Sequence, residues 1–313
     1  MTGCAIQRRE MRIPAGRDDE LDAWVYLPDG PGPHPVVFMA HGIGGIKAAG
    51  LVPFAERFAG GGFAAVVFDY RHWGDSTGQP RQFLSIRRQL EDYRTALAWA
   101  RAQDEFDATR IFVWGTSFAG MHIVELAASE PDLAGAIAQC PLVDGLAGLA
   151  NIPLPRGLRL TAHALADLAA AALGRPPRYL PVSVLPGQLG VIATDDAMIG
   201  LARLDPGDRC WPNEITARSL LDVLAHRPVR RARNARCPLL MVVAEHDTMA
   251  PIRPALAVAV RAPHGELYRS RGGHYDVYAG GLDHDNVVRI EMSFLHRHAR
   301  IPSRGVSSPK SPR

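Results

Sequence analysis

Unbroken apolar runs alternate with segments of helical periodicity along most of the chain. Val36–Ala40 and Ala64–Asp69 are almost entirely apolar, which is typical of strands buried on both faces of a parallel sheet. Ile86–Gln103 has apolar residues at intervals of three and four, which predicts an amphipathic helix. Further predicted strands are Arg110–Trp114, Ala134–Ala138, Pro238–Ala244 and Glu266–Tyr268. The alternation predicts an α/β fold with a mostly parallel, doubly wound sheet and helices on both faces.

The two ends of this pattern contain additional elements. Arg12–Pro14 and Ala23–Leu27 predict an opening antiparallel pair, which ends at the turn Pro28–Pro33. The other predicted helices are Val52–Phe58, Met121–Ser129 and Asn286–Arg297, the last of which closes the domain.

A long segment interrupts the alternation between Leu142 and Arg227. It contains a predicted helix at Leu158–Leu173, a loop at Pro176–Gly190 and helical stretches at Ala197–Leu204 and Asn213–Leu224. An insert after a strand predicts a helical cap over the end of the sheet where α/β folds bind substrates. We therefore expect a core built from residues 1–141 and 229–298, a cap at 142–228 and a disordered tail at 299–313.

Composition and charge narrow the class of protein. The chain has 313 residues, 47% of them hydrophobic, which suits one large core. The net charge is +3, but four basic residues in the tail leave the body at −1, so a basic nucleic-acid-binding face is not expected. Four well-separated cysteines and no apolar run of membrane-spanning length predict a cytoplasmic protein without disulfides.

The segment Gly115-Thr116-Ser117-Phe118-Ala119-Gly120 lies between a predicted strand and a predicted helix. A tight strand-to-helix turn strains its central residue and requires small neighbours. This pattern predicts that Ser117 presents its hydroxyl above the sheet as a nucleophile. The plain alternative is an ordinary turn with a serine that caps the helix.

A serine nucleophile needs a base, and the base needs an acid that orients it. In this architecture their order along the chain is nucleophile, acid, base. Asp247 follows the strand Pro238–Ala244, and His274 follows the last predicted strand after two glycines. The sequence therefore predicts a catalytic triad of Ser117, His274 and Asp247.

A glycine-rich turn, His41–Gly45, directly follows the strand Val36–Ala40. Such a turn exposes backbone N–H groups that stabilise a developing oxyanion. We expect the amides of Ile43 and Phe118 to form the oxyanion hole, with a plain β-turn as the alternative for the first of them.

These segments together resemble the α/β-hydrolase fold enzymes. His41-Gly42-x-Gly44-Gly45, Gly115-x-Ser117-x-Ala119-Gly120, Asp247 and Gly273-His274 follow the family's usual order, over about residues 10–298. The chain is similar to the dienelactone-hydrolase-like and dipeptidyl-peptidase-like serine hydrolases, which include thiohydrolases and polyketide acyltransferases of secondary metabolism. The resemblance rests further on Asp69-Tyr70-Arg71-His72-Trp73-Gly74-Asp75-Ser76.

Several neighbouring residues are alternatives to the predicted site. The resemblance favours Asp247 over Glu245 as the acid. His41 and His246 are expected to hydrogen-bond within their loops rather than act as the base. Asp283-His284-Asp285 is interpreted as the start of the closing helix and not as a metal site.

The sequence thus predicts a serine hydrolase that cleaves an apolar carboxylic ester or thioester through an acyl-enzyme, with no metal or organic cofactor. Alternatives with the same triad are acyl transfer, elimination and carbon–carbon cleavage. A different alternative is a non-catalytic ligand-binding protein of this fold. The expected partner is a small-molecule acyl substrate, with no nucleic acid and no membrane, and a homodimer is an open alternative for assembly.

Overall fold

A computed structural model describes residues 6–16, 18–207 and 211–299. Eight strands form one large sheet, and two short strands pair elsewhere. In chain order the strands are β1 Gln7–Pro14, β2 Glu20–Leu27, β3 His34–Ala40, β4 Ala64–Phe68, β5 Phe106–Thr116, β6 Gly135–Gln139, β7 Tyr179–Pro181, β8 Glu214–Thr216, β9 Leu239–Ala244 and β10 Gly265–Ser270. The helices are α1 Val52–Gly60, α2 Ile86–Arg101, α3 Gly120–Ser129, α4 Gly145–Ala150, α5 Leu154–Ala172, α6 Ala197–Leu204, α7 Ser219–Ala225, α8 Ile252–Arg261 and α9 His284–His298.

The large sheet has the strand order β1-β2-β4-β3-β5-β6-β9-β10. β1 pairs antiparallel with β2, and β2 pairs antiparallel with β4, whereas every pairing from β4 to β10 is parallel. The α/β architecture with a mostly parallel sheet, predicted from the alternation, is confirmed. Because parallel strands end at the same edge, the loops after β3, β5, β9 and β10 gather at one end of the sheet.

Helices cover both faces of the sheet, as the unbroken apolar strands require. On one face, side chains of α2, α3 and α8 join a core cluster that includes Tyr93, Val124 and Val258. On the other face, α1 and α9 contribute Phe58 and Phe294 to a second cluster. The predicted helices that correspond to α1, α2, α3 and α9 are present, with ends that differ by a few residues, whereas α8 was not predicted.

Between β6 and β9 the residues that the structure describes add no strand to the large sheet and instead form α4 to α7 and the pair β7–β8. The predicted helix Asn213–Leu224 is wrong in its first part, because Glu214–Thr216 pairs antiparallel with Tyr179–Pro181. The short helix α4 was not predicted. The cap boundaries at 142 and 228 stay predictions, and the predicted tail lies outside the described residues except for Ala299.

None of the helices in the described part of the chain is long and apolar enough to cross a membrane. Of the four cysteines, Cys140 and Cys237 are described, and both are buried free thiols.

Candidate active site

The turn after β5 holds Ser117 in a strained conformation. Its φ angle is +57°, in the left-handed region that costs a non-glycine residue about 1–3 kcal/mol. A short 3₁₀ turn, Ser117–Ala119, then leads into α3. A Cβ at Gly115 would lie 2.7 Å from the Ile123 side chain and 2.9 Å from the Ala119 carbonyl oxygen, so this position needs glycine. The turn thereby points Ser117 toward the ends of the strands.

His274 bridges Ser117 and Asp247. Its Nε2 lies 3.0 Å from Ser117 Oγ, and its Nδ1 lies 2.8 Å from Asp247 Oδ2. Since a carboxylate accepts hydrogen bonds, Nδ1–H donates to Asp247, and in the neutral imidazole Nε2 then accepts from the serine hydroxyl. The side chains of His274 and Asp247 are each only 3% exposed. The structure therefore brings together the three side chains predicted as the triad.

The Asp247 carboxylate is itself fixed by the turn after β9. Its Oδ1 accepts from the amides of Met249 at 2.9 Å and Ala250 at 2.7 Å. Both hydrogen bonds hold the other carboxylate oxygen toward the imidazole.

The electrostatic surroundings of His274 favour its protonated form. Burial alone would lower the pKa, but the Asp247 carboxylate raises it, with a further contribution from Cys140. The net effect is a His274 pKa well above the ordinary 6.5. The site is thus arranged to stabilise an imidazolium once the histidine has taken a proton.

The alternative residues lie elsewhere. Glu245 is exposed and forms an ion pair with Arg269 at 3.2 Å. His246 is also exposed, whereas His41 is buried with its Nδ1 3.0 Å from the Gly42 carbonyl oxygen. Among these three residues none hydrogen-bonds the Ser117 side chain or the His274 ring.

The loop after β3 lies against the serine. A Cβ at Gly42 would lie 2.9 Å from Ser117 Cβ and 3.3 Å from its Oγ, so only glycine allows the loop this close. Ile43 and Phe118 line the same cavity as Ser117 and His274. Within the described residues, the Ile43 amide donates to no protein acceptor, which leaves it free for a ligand oxygen.

Residues of the segment between β6 and β9 contact the loop after β3 and hold it in place. The Trp211 indole N–H donates to the Gly44 carbonyl oxygen at 2.6 Å. Gly44 has φ +70°, and Val182 packs directly on its Cα. The loop that carries the Ile43 amide is therefore fixed by residues far from it in sequence.

A cavity of about 150 Å³ extends from the triad beneath α4, α5 and α7. Its walls are mostly apolar, from residues that include Leu142, Leu149, Ile152, Leu160, Leu220 and Leu224. An apolar cavity of about this volume holds a group of about the size of benzene. The cavity therefore has room for a medium-sized apolar group beside Ser117.

A buried ionic cluster lies under the loop after β3. The Lys47 ammonium is 2.7 Å from Asp69, 2.5 Å from Asp22 and 3.2 Å from Asp75. These carboxylates are close enough together to hold a metal ion, but the ammonium occupies the position between them. No role was predicted for Lys47, although it is one of only two lysines among the 35 lysine and arginine residues, Lys310 being the other.

Replacement of Lys47 by methionine is expected to lower the free energy of unfolding by about 3–5 kcal/mol, since it leaves buried carboxylates without their cation. Urea unfolding of the purified variant measures this loss. Arg87→Met is the matched control, because Arg87 forms an exposed ion pair with Glu91 whose loss costs well under about 1 kcal/mol. Equal stability of the two variants would contradict this role of Lys47.

Two residues outside the predicted triad, Cys140 and Tyr278, lie close to the site. Cys140 Sγ lies 3.9 Å from His274 Nε2 and 3.5 Å from Thr116 Oγ1. Thr116 Oγ1 is in turn 2.6 Å from the Tyr278 hydroxyl. Cys140 directly follows β6, the strand next to β5, which accounts for its position beside the turn at Ser117. The contacts of Tyr278 depend on the loop before α9.

The fold and the arrangement of the site define the chain as an α/β hydrolase. Residues 31–274 match the family described as serine aminopeptidase, S33, and the chain belongs to that family. It is therefore an enzyme of a hydrolase family.

Two relatives are similar to this chain over most of its length, and a solved structure has a similar fold. The quorum-quenching protein AidA of Acinetobacter baumannii (strain MDR-ZJ06) is 38% identical, over 90% of this chain and 92% of its own length. A thiohydrolase of Eupenicillium brefeldianum is 27% identical, over 88% and 89%. The crystal structure of the α/β hydrolase GrgF from Penicillium sp. sh18 covers 94% of this chain and 99% of its own, with 24% identity and a TM-score of 0.78.

Proposed function

We propose that this enzyme is a serine hydrolase that cleaves a carboxylic ester or thioester through an acyl-enzyme. The continuous hydrogen-bonded chain from Asp247 through His274 to Ser117 carries the proposal. The name of the Eupenicillium relative supports the thioester part. The apolar cavity beside Ser117 supports an apolar acyl group of about six carbons.

The reaction proceeds in two halves. Ser117 Oγ attacks the acyl carbonyl while His274 Nε2 takes the serine proton, and Asp247 holds the imidazolium. The amides of Ile43 and Phe118 stabilise the tetrahedral oxyanion. His274 then protonates the departing alcohol or thiol, which leaves the acyl group on Ser117. In the second half a water molecule repeats these steps and releases the acid.

A peptide substrate with a free amino end fits the cavity less well than an ester. Recognition of an ammonium group calls for an acidic side chain. Among the described residues that line the cavity there is no aspartate or glutamate. The family's description as aminopeptidase therefore does not extend to the substrate we propose.

The release of p-nitrophenol from short and medium acyl esters tests the proposed function. We expect a burst equal to the enzyme concentration, followed by steady turnover, with medium chains preferred over short ones. S-acyl N-acetylcysteamines test the thioester arm. Added alcohol separates hydrolysis from the alternative of acyl transfer, because a transferase forms the new ester in preference to the acid.

The raised pKa of His274 predicts the acid limb of the pH profile. His274 must be neutral to accept the Ser117 proton, so kcat/KM rises as pH increases through its pKa. The midpoint of this rise is expected above pH 6.5, because Asp247 stabilises the imidazolium. In Asp247→Asn the midpoint should move to lower pH. A wild-type midpoint at or below pH 6.5 would contradict the strong coupling of this pair.

A homodimer stays an open alternative for assembly, and the part of the chain that forms the cap stays a prediction.

A further inference from the structure

An arginine side chain lies in the wall of the mostly apolar cavity. Arg156, near the start of α5, lines the same cavity as Ser117 and His274. We propose that Arg156 is a binding residue for an anionic oxygen group, a carboxylate or phosphate, on the substrate. This inference rests on the proposed function, since it concerns the substrate of the same site.

The present contacts of Arg156 use only part of its guanidinium. Nη2 donates to the carbonyl oxygens of Val191 at 2.7 Å and Gly190 at 3.1 Å, and Nε lies 3.3 Å from the Gly190 oxygen. The Nη1 group donates to no acceptor in the part of the chain that the structure describes. These two carbonyls fix the direction of the side chain and leave N–H donors for another partner.

The charge of Arg156 is also not balanced by the protein. No carboxylate of the described residues lies within ion-pair distance of its guanidinium, and burial lowers its pKa without any acidic group to offset the effect. A partly desolvated cation without a counter-ion gains most from an anionic hydrogen-bond acceptor. The planar fork of arginine suits the paired oxygens of a carboxylate or phosphate.

The plain alternative is that Arg156 only holds the segment around Gly190 and Val191 in place. That role is independent of the charge of the substrate. A role in substrate recognition affects anionic substrates selectively, so the two explanations predict different results for matched substrate pairs.

Two substrate pairs distinguish the source of the anionic group. Mono-p-nitrophenyl adipate and p-nitrophenyl hexanoate differ by a carboxylate at the end of the acyl chain. S-hexanoyl phosphopantetheine and S-hexanoyl pantetheine differ by a phosphate on the leaving group. Wild type should prefer the anionic member of one pair by about 10- to 100-fold in kcat/KM, the range for a hydrogen bond to a charged group.

Arg156→Met should abolish this preference, and Arg156→Lys should keep part of it because the charge remains. Arg159→Met is the matched control, since Arg159 is an exposed arginine one turn along α5 that does not line the cavity, and it should keep the full preference. An equal loss on both members of each pair, or a wild type without preference in either pair, would overturn the proposal. Failure of the proposed function itself would differ, because the neutral esters would then not react with wild type.

Discussion

Ser117→Ala should lower kcat/KM for a p-nitrophenyl ester by about 10³-fold or more and abolish the burst. Alanine removes the atom that attacks the carbonyl, and its methyl group fits where the serine Cβ already contacts the Gly42 loop. The activity that remains should come from ester binding and oxyanion stabilisation alone. Stopped-flow release of p-nitrophenol measures both quantities.

The matched control for this variant is Cys140→Ala. The Cys140 thiol lies 3.9 Å from His274 Nε2 and is the other potential nucleophile beside that ring. We expect Cys140→Ala to retain the burst. A burst that survives in Ser117→Ala but disappears in Cys140→Ala would assign the nucleophile to the thiol instead.

The double variant Ser117→Ala/His274→Ala should lose little more kcat than Ser117→Ala alone, because the residues act as a unit.

Asp247→Asn should produce the second large effect, a loss of about 10³- to 10⁴-fold in kcat. The amide can still accept from the Met249 and Ala250 amides, but it no longer stabilises the imidazolium and can offer N–H where His274 Nδ1 needs an acceptor. The histidine is then held in the wrong tautomer. Steady-state kinetics at a pH above the acid limb measures the loss without interference from the titration of His274.

Glu245→Gln provides the control in the same turn. Glu245 is exposed and paired with Arg269, so its neutralisation should change kcat by no more than about threefold, in keeping with the small energy of surface ion pairs. A large loss in Glu245→Gln together with a small loss in Asp247→Asn would reverse the assignment of the acid.

Local patterns were sufficient to predict the buried strands and the turn that carries the proposed nucleophile. The apolar runs in β3, β4, β5 and β9 predicted buried parallel strands because both faces of those strands are covered by helices. The small residues around Ser117 predicted the strained turn because that constraint is local. The distinction between Asp247 and Glu245 needed the resemblance to a family, since two carboxylates in one turn differ only in their direction.

Contacts between segments that are distant in sequence could not be predicted from local patterns. The pairing of Glu214–Thr216 with Tyr179–Pro181 joins segments that are distant in sequence and individually too short to show a periodicity. The contact of Lys47 with Asp22 and Asp69 likewise depends on the order of strands in the sheet. Trp211 and Arg156 belong to the segment between β6 and β9. The hydrophobic pattern of this segment predicts helices, but it does not predict how those helices pack against the sheet, so the proximity of the two residues to the site could not be predicted.

The most direct test of the proposed triad is covalent labelling by a fluorophosphonate, followed by peptide mapping of the adduct by mass spectrometry. The proposed mechanism predicts one adduct per chain, on Ser117, formed rapidly by wild type and absent from Ser117→Ala. Labelling should be slowed strongly in His274→Ala, because the hydroxyl then lacks its base. An adduct on another residue, or ester turnover by an enzyme that the probe does not label at Ser117, would contradict the mechanism.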